Sequence, residues 1–422
     1  STDGSVTLAV GDVKSCTITN TDITPTLKLV KSPIQDNGGN ETENDWTLSA
    51  TNEGSGSDRD FSNLGGQGVF ESVYANTNYL LAEIGPDGYS SNGWNCDGGT
   101  LIENSITLRL DEDVTCTIVN DDIAPTITLI KEVINDNGGN AGPDDFGINL
   151  DENGVLSGST TSVDANTAIT IDEEGLFGYE SVSLTGDEGC PTELGDSVTL
   201  LPGENITCTI TNDDIAPRLT VIKNVVGSDA KTSADFTMYV DGTNVSDDSF
   251  PGSSTGTTVT LNEGEYSVTE DLIDGYTDTY SEDCSGTISV GEEKTCTVTN
   301  TRDLGKIVVR KLIDADGDLE TTDDRTPGEN WVMDVDPDGG DTSNPDSNET
   351  DENGEVEFNN LKTGTYTVSE NLKGGYEILD GFCGRENGSL DGESIYGVDV
   401  DKDDTVICTF INFLLDPEVS IE

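Results

Sequence analysis

The stretch CTIVNDDIAPTITLIK, residues 116–131, joins two features that recur throughout this chain. The first is a segment that begins with cysteine and ends with asparagine. The second is a segment in which apolar and polar residues alternate. Alternation with a period of two is typical of a β-strand that buries one face. Copies of the Cys-Thr-Ile-x-Asn segment occupy residues 16–20, 116–120, 208–212, 296–300 and 408–412. The sequence therefore predicts one β-rich unit that is repeated.

The repeat length indicates whole domains in tandem. Cysteines of successive copies lie 100, 92, 88 and 112 residues apart in the 422-residue chain. This spacing is too long for a solenoid unit and fits one β-sandwich per repeat, and helical periodicity is absent over any useful length. We predict an all-β chain, a tandem array of β-sandwich domains. The predicted domains are residues 21–120, 121–212, 213–300 and 301–412, with residues 1–20 as the last strands of a truncated preceding domain and residues 413–422 as a linker and first strand of a following one.

The composition limits the classes of function. There are 84 acidic residues against 19 basic ones, a formal net charge of −65, and histidine is absent. A polyanion repels nucleic acid, so no nucleic-acid partner is expected. Without histidine the usual general base and the Ser/His and Cys/His nucleophile pairs are missing, so we predict that the protein is not an enzyme. No apolar run approaches 18 residues, so no membrane span is expected in this segment. The acidic excess favours a saline or calcium-containing exterior.

The repeat also organises the nine cysteines. Each domain holds two of them at a short separation, which predicts one disulfide per domain. The expected pairs are Cys96–Cys116, Cys190–Cys208, Cys284–Cys296 and Cys383–Cys408. Cys16 remains, and its partner would precede Ser1. No CxxC motif supports a metal site instead. Disulfides form in oxidising compartments, so the expected location is extracellular, at a cell surface.

Each domain places one lysine, one glutamate and one asparagine on the apolar face of a strand. The lysines are Lys31, Lys131, Lys223 and Lys311; the glutamates are Glu83, Glu173, Glu270 and Glu370; the asparagines are Asn120, Asn212, Asn300 and Asn412. Only 12 lysines occur in the chain, so their shared register in four domains is informative. In the first domain Lys28 is also available, on the opposite face.

Burial of this set is costly unless the groups pair or react. Burial favours the neutral amine and the protonated carboxyl. A neutral amine beside a carboxamide, with a carboxyl to promote the reaction, can form an intramolecular isopeptide bond and release ammonia. The alternative interpretation is a Lys–Glu ion pair at the end of each sandwich, with the asparagine capping a turn.

With these motifs the sequence resembles the B-type repeats of Gram-positive collagen adhesins, the Cna-B-like or prealbumin-like domains. A Glu-x4-Gly-Tyr motif, at Glu83–Tyr89, Glu173–Tyr179, Glu270–Tyr276 and Glu370–Tyr376, carries the resemblance together with the lysine and asparagine. The resemblance implies a prealbumin-like (Ig-like) sandwich and a stalk or fibre module, often crosslinked by Lys–Asn isopeptide bonds. Two features depart from the family. The cysteine pair is not typical of crosslinked repeats, and the acidic residue that usually follows the lysine is displaced or missing in KNVVGSD, residues 223–229.

Acidic loops follow the first strand of three domains, at residues 36–45, 135–145 and 314–324. Alternating Asp and Asn oxygens around glycine suit calcium, which binds six to eight oxygen ligands. The candidate ligands are Asp36, Asn37, Asn40, Asp45, Asp136, Asn137, Asn140, Asp145, Asp314, Asp316, Asp318 and Asp324. The loops resemble calcium loops of serine–aspartate repeat adhesins, and the alternative is a solvated acidic turn. No organic cofactor is expected.

Glycosylation sequons occur at Asn40, Asn205, Asn244, Asn348 and Asn387. We predict a structural protein, a stalk or filament that associates with itself or continues along the same chain. The alternative is an adhesin that binds a glycan, a cell-wall component or a host protein. An exposed aromatic cluster, with Trp46 and Trp94 as candidates, would favour the alternative.

Overall fold

The computed structural model describes residues 4–54, 56–227, 231–338, 346–384 and 388–415. These residues form β-strands joined by turns, with four short 3₁₀ helices and no α-helix among them. The 3₁₀ helices are Glu43–Asp45, Pro143–Asp145, Ser233–Asp235 and Glu282–Cys284. The predicted all-β fold is therefore confirmed. A search of the described residues for a helix long and apolar enough to cross a membrane finds none.

The chain divides into two compact units, residues 1–136 with 140–214 and residues 137–139 with 215–422. Each unit contains two of the predicted domains. In the first domain the strands are β1 (Thr26–Ile34), β2 (Thr47–Asn52), β3 (Phe61–Leu64), β4 (Phe70–Ser72), β5 (Asn78–Ile84), β6 (Tyr89–Cys96), β7 (Thr100–Ile102), β8 (Ser105–Thr107) and β9 (Asp113–Asp122). In the second they are β10 (Thr126–Ile134), β11 (Gly147–Leu150), β12 (Asn153–Val155), β13 (Thr160–Ser162), β14 (Ala168–Glu174), β15 (Tyr179–Gly186), β16 (Ser197–Thr199) and β17 (Asn205–Asp214).

The second unit repeats this plan. In the third domain the strands are β18 (Arg218–Val226), β19 (Thr237–Asp241), β20 (Ser249–Pro251), β21 (Thr257–Thr260), β22 (Gly264–Glu270), β23 (Tyr276–Tyr280), β24 (Ser285–Ile288) and β25 (Glu293–Arg302). In the fourth they are β26 (Leu304–Asp314), β27 (Thr326–Pro327), β28 (Val332–Pro337), β29 (Asp346–Glu349), β30 (Glu355–Lys362), β31 (Gly364–Glu370), β32 (Tyr376–Cys383), β33 (Ser389–Asp391), β34 (Ser394–Val400) and β35 (Thr405–Leu414).

Every domain is a sandwich of two sheets with one topology. In the first domain one sheet has the order β4-β1-β9-β6 and the other β3-β2-β5-β8-β7. The first and last strands of the domain are parallel neighbours at the centre of the first sheet. The corresponding sheets are β13-β10-β17-β15 and β12-β11-β14-β16, then β21-β18-β25-β23 and β20-β19-β22-β24, then β27-β26-β35-β32 and β29-β28-β31-β34-β33. In the fourth domain β30 also pairs with β26, on the same edge as the short β27. The domain boundaries stay a prediction, and the last strands extend two residues beyond each predicted asparagine end.

The core of each sandwich forms from the alternating residues that the sequence indicates. Along β1 the side chains of Leu27, Leu29 and Lys31 are buried, whereas those between them are more exposed. Each domain has its own cluster of buried apolar residues between its two sheets. A row that buries two aliphatic residues and then a lysine carries that lysine into the core by its register alone.

Residues 4–25 differ from the sequence expectation, because they contain no strand. Residues 4–22 are exposed, although residues 5–20 match the last strands of a domain. A β-strand is stable only when its backbone groups pair with a neighbour, and this segment pairs with none of the described strands. At the other end, residues 416–422 of the predicted linker and strand lie outside the described residues.

Candidate functional site

The predicted lysine, glutamate and asparagine meet inside each sandwich. In the first domain β1 contributes Lys31, the last strand β9 contributes Asn120, and β5 of the opposite sheet contributes Glu83. The Glu83 carboxylate bridges the other two, since Lys31 Nζ lies 2.8 Å from Oε2 and Asn120 Nδ2 donates to Oε1 at 2.9 Å. We call each such set a triad. The amine and the carboxamide thus face one carboxylate.

The second and fourth domains repeat this geometry. Lys131 Nζ lies 3.2 Å from Glu173 Oε2, and Asn212 Nδ2 donates to Glu173 Oε1 at 2.6 Å. In the fourth domain the corresponding distances to Glu370 are 2.6 Å from Lys311 Nζ and 2.5 Å from Asn412 Nδ2. The Oδ1 atoms of Asn120, Asn212 and Asn412 are buried without a hydrogen-bond partner.

The third domain arranges its carboxamide differently. Lys223 Nζ lies 2.6 Å from Glu270 Oε2 and also donates to Asn300 Oδ1. The oxygen of the carboxamide therefore faces the amine. A half-turn of the carboxamide would present Nδ2 to the carboxylate, as in the other three domains.

The lysine amines are held in an apolar environment. All four lysines are at most 3% exposed. Burial lowers the pKa of Lys31, Lys131 and Lys223, against the opposing effect of the glutamate in each triad. Burial also lowers the pKa of Lys311, to about 8 from 10.5. Desolvation disfavours the charged ammonium, so the sites move toward the neutral, nucleophilic amine. Lys28 lies elsewhere, 5.5 Å from the Phe70 ring centroid.

Each triad has an aromatic partner that the sequence reasoning missed. The lysine Nζ lies 4.4–4.5 Å from the ring centroid of Trp46, Phe146, Phe236 or Trp331. The tyrosine of the Glu-x4-Gly-Tyr motif packs edge-on against this ring, with centroids 5.0–5.5 Å apart. The motif glycines have φ between +78° and +92°, a conformation that favours glycine. An aromatic residue shortly after each acidic loop was the available signal.

The disulfide lies on the same last strand as the asparagine. Cys96 and Cys116 are directly opposed on β6 and β9, and the structure joins them. It also joins Cys190–Cys208, Cys284–Cys296 and Cys383–Cys408. Cys16 is exposed and unpaired within the described residues. Sulfur thus fixes the last strand to the neighbouring strand in the first and fourth domains, and to the segment that follows this neighbour in the second and third domains.

Comparison with known proteins identifies the family. A family model described as the prealbumin-like fold domain matches residues 22–118, 122–210 and 214–308. The chain belongs to this family. The fourth domain lies mostly outside these matches and has the same central pairing of its first and last strands. No curated protein sequence matches the chain.

Solved structures also resemble the chain. The Bacillus anthracis TIE protein is 16% identical, with 86% of this chain and 65% of that chain covered and a TM-score of 0.37. The major pilin from Streptococcus pyogenes is 16% identical, with 48% and 100% covered and a TM-score of 0.26. Two B repeat units of the collagen binding protein of Staphylococcus aureus are 14% identical, with 93% and 100% covered and a TM-score of 0.17. The chain thus spans just under two thirds of the TIE protein. These likenesses carry no argument about what it does.

Some of the predicted calcium ligands lie close to other carboxylates in the prealbumin-like domains. Carboxylate oxygens of Asp36 lie within 4.8 Å of those of Asp121 and Asp122, and the second domain repeats this with Asp136, Asp213 and Asp214. The Asp122 carboxylate accepts bonds from the backbone N–H groups of residues 36, 37 and 39. Burial, and then the charge of Asp136, raise the pKa of Asp213. The paired aspartates end the last strands, and the sequence reasoning missed them.

The fourth domain forms its cluster within one loop, from Asp314, Asp316 and Asp324. The Asp314 carboxylate also accepts from Arg325 Nε at 3.1 Å. The other predicted carboxylate ligands, Asp45, Asp145 and Asp318, lie outside these clusters. Asp45 accepts from the Thr42 backbone and hydroxyl, and Asp145 accepts from the Gly142 backbone, so both cap 3₁₀ helices. Asp318 accepts from the Glu320 backbone. Asn37 Nδ2 donates to the carboxylates of Asp36 and Asp122 and so lies beside the first cluster, while Asn40, Asn137 and Asn140 stay predictions.

Two further sets of predicted residues are placed by the structure. The sequon asparagines Asn40, Asn205, Asn244 and Asn348 are exposed, and Asn387 lies outside the described residues. Trp46 and Trp94 are 1% and 9% exposed and belong to the core of the first domain. The aromatic candidates for a ligand-binding surface are therefore core residues.

Proposed function

We propose that this chain is a structural segment of an extracellular, pilus-type surface protein, a stalk or filament whose domains are locked by Lys–Asn isopeptide bonds and disulfides. The observation that carries the proposal is the triad: in each of four domains a buried amine lies against a carboxylate, with a buried carboxamide beside them. An ion pair alone gains little in a core, because desolvation offsets much of the attraction. A covalent bond removes the charge from the buried site.

The triad can perform the condensation without a cofactor. The neutral lysine Nζ attacks the asparagine Cγ, a new C–N bond forms, and the Cγ–Nδ2 bond breaks. One amine proton passes through the glutamate carboxyl to Nδ2, which leaves as ammonia. Enforced proximity of the two reactants supplies most of the acceleration. Each domain reacts once, so this is a maturation step of the chain and not an enzymatic activity.

The disulfides and the net charge support the extracellular location. Four intradomain disulfides suit an oxidising exterior. A net charge of −65 is best tolerated where salt or divalent cations screen it. We include calcium in the proposal, bound at the clusters around Asp36, Asp136 and Asp314. Carboxylate oxygens are the ligands that calcium prefers, and the ion would neutralise crowded charges beside the triad-bearing strands.

The intact mass of the reduced, unfolded protein tests the crosslinks. We expect it to fall short of the sequence mass by one ammonia per domain, and proteolysis should yield branched peptides that join the lysine and asparagine of each triad. The matched control replaces Asn120, Asn212, Asn300 and Asn412 together by alanine, and it should show no ammonia loss. An unshifted mass in the unsubstituted protein would reduce the triads to ion pairs.

A further inference from the structure

The third domain places a second carboxylate beside its triad. Asp278 on β23 is the register partner of Asn300 on β25, so the two side chains lie on the same face of the sheet. Asn300 is buried on the core face, and Asp278 shares this face on the edge strand, where it is partly buried. The charge of Asp278 acts on Lys223. Lys223 therefore lies near two acidic groups, Glu270 and Asp278.

The other three domains have no acid at this position. The register partners of their triad asparagines are Ser91, Ser181 and Ile378. Burial lowers the pKa of the lysine in each of these domains, and the triad glutamate opposes the effect. At Lys223 burial is again the largest effect on the pKa, and it is opposed by Glu270 and then by Asp278. A second negative charge stabilises the protonated ammonium.

The carboxamide of the third domain is also turned away from the orientation that the reaction needs. In the other domains Oε1 of the triad glutamate accepts from the asparagine Nδ2. Oε1 of Glu270 is instead buried without a hydrogen-bond partner among the described residues, and Asn300 Oδ1 accepts from Lys223 Nζ. The condensation requires a proton at Nδ2 of the leaving group. In this orientation the glutamate forms no hydrogen bond through which Nδ2 could receive it.

Tyr280 holds the second carboxylate in place. It lies two residues after Asp278 on the same face of β23 and forms a hydrogen bond with the Asp278 carboxylate. The register partner of Tyr280 is Val298. The first, second and fourth domains have Trp94, Leu184 and Gly381 at the corresponding positions. The hydroxyl group and the acid that it contacts thus distinguish the third domain from the other three.

We propose that Asp278 delays the crosslink of the third domain, so that this domain remains extensible after the other three are locked. The inference rests on the crosslinking proposed above and concerns its rate in one domain. The bond changes are the same: Lys223 Nζ joins Asn300 Cγ, the Cγ–Nδ2 bond breaks, and one amine proton leaves with Nδ2 as ammonia. The ammonium has no lone pair for this attack. A rise of one unit in the amine pKa makes the neutral form about tenfold rarer below that pKa.

A third domain without its crosslink would lengthen under load. Its first and last strands, β18 and β25, are parallel neighbours like those of the first domain. Tension would release the 77 residue steps from Lys223 to Asn300 less the 12 that the Cys284–Cys296 disulfide spans. At roughly 3.5 Å per residue this chain adds about 230 Å of length. The third domain would thus yield under a force that the locked domains withstand.

Peptide mass spectrometry of each domain during maturation tests the delay. Freshly synthesised full chain is sampled over time, reduced, unfolded and digested, and the linear and branched peptides of each triad are quantified. We expect the branched peptide of the third domain to form last, at least about tenfold more slowly than the others. Asp278→Asn should accelerate it about tenfold and leave the other domains unchanged. The matched control, Asp241→Asn, removes the same charge from an exposed position on β19 and should change no rate.

The reciprocal substitution introduces the acid into another domain. Ser181→Asp places a carboxylate opposite Asn212, so it should slow crosslinking in the second domain and in no other. Circular dichroism and melting of each variant check the fold.

A pH series separates an electrostatic role of Asp278 from a structural one. The titratable groups around Lys223 are Glu270 on the opposite sheet and Asp278, Tyr280 and Tyr276 on β23, and Arg302 donates to the Tyr276 hydroxyl. Asp278→Asn should move the pH of half-maximal third-domain rate to lower values, because the amine then loses its proton more readily. A change in packing alone would not move this pH.

The outcomes distinguish the delay from the crosslinking itself. Equal rates in all four domains would overturn the delay and leave the crosslinks intact. The delay would also be overturned by an unchanged rate in Asp278→Asn, by equal acceleration in Asp241→Asn, or by an unmoved pH profile. If no domain yields a branched peptide at any time, the crosslinking on which the inference rests is itself wrong.

Discussion

At the scale of single residues, the buried lysine depends on the carboxylate beside it. Glu370 lies against both Lys311 and Asn412 and is 1% exposed. A Glu370→Gln variant keeps the shape but loses the group that carries a proton between the two nitrogens. We expect the fourth domain to stay uncrosslinked, so that the mass loss is one ammonia smaller than in the unsubstituted chain.

Glu377→Gln provides the control for this variant, because Glu377 is exposed on β32 and lies seven positions further along the chain. It should retain the full ammonia loss. Intact-mass measurement after the same maturation time compares the two. Equal losses in both variants would show that the carboxylate does not promote the reaction.

The lysine pKa predicts a pH dependence in a chain that cannot crosslink. In an Asn412→Ala variant Lys311 stays an amine, with its folded-state pKa lowered to about 8 from 10.5. The unfolded chain then binds more protons between these values, so stability rises with pH. The loss of folding stability caused by burying Lys311 is full below about pH 8. It decreases by up to about 3 kcal/mol as the pH rises to 10.5. Hydrogen exchange of fourth-domain peptides across this range measures it.

The control for the pH dependence adds Lys311→Met to Asn412→Ala, which removes the titrating group and leaves an apolar chain of similar length. The increase with pH in protection against hydrogen exchange should then disappear from the fourth domain. Persistence of the same rise would assign it to other groups and contradict the lowered lysine pKa.

The triad could be predicted from sequence because strand alternation carries a residue into the core wherever it falls in register. The aromatic residue over each lysine was missed, because its distance from the lysine varies, being 15 residues at Trp46 and 20 at Trp331, and only its place after the acidic loop marks it. Asp122 was missed for a related reason, because its partner loop lies more than 80 residues earlier in the chain. Asp45 was assigned to a metal by proximity in sequence, but nearby backbone N–H groups compete for its carboxylate.

At the scale of elements, the disulfide joins the last strand of a domain to a segment shortly before it in the chain, which in the third domain is the 3₁₀ helix Glu282–Cys284. In the third domain Cys284 and Cys296 are 12 residues apart in sequence. Loop-closure entropy gives such a bond about 3 kcal/mol of stabilisation. The Cys284→Ala, Cys296→Ala variant should therefore lower third-domain stability by about this amount in denaturant melts, whereas Cys16→Ala should change nothing. A loss confined to the Cys16 variant, or no loss in either, would contradict the assignment.

The acidic loops bring carboxylates close together, and a bound cation would compensate their charge. Asp36, Asp121 and Asp122 crowd their oxygens in the first domain, while the third domain has Arg302 at the position that matches Asp122. Removal of calcium by a chelator should lower the melting temperature and loosen residues 36–39 by hydrogen exchange, because ion binding stabilises the folded state. An Asp36→Asn, Asp121→Asn variant should lose this response in the first domain only. An unchanged melting temperature under chelation would exclude the ion.

At the scale of the whole molecule, crosslinked triads would determine which residues carry tension along the chain. Force enters a domain at its first strand and leaves at its last, and these strands are parallel neighbours. A bond from Lys31 to Asn120 would transmit force directly between them, so the chain between these two residues, 89 residue steps long, would bear none of it. The Cys96–Cys116 disulfide lies between Lys31 and Asn120 in the chain. It would stabilise the folded domain without carrying load.

Single-molecule pulling can distinguish the two bonds by length. A chain with intact crosslinks should show no extension event in the first domain. In an Asn120→Ala variant the domain opens under force. The released chain is the 89 residue steps from Lys31 to Asn120 less the 20 that the disulfide spans. At roughly 3.5 Å per residue it should add about 240 Å of length. Addition of a reductant should then release about 70 Å more. The same variant in a chain whose other domains remain crosslinked isolates the event. Extension of the unsubstituted first domain under the same force would place the load on the sheet hydrogen bonds and contradict a covalent path.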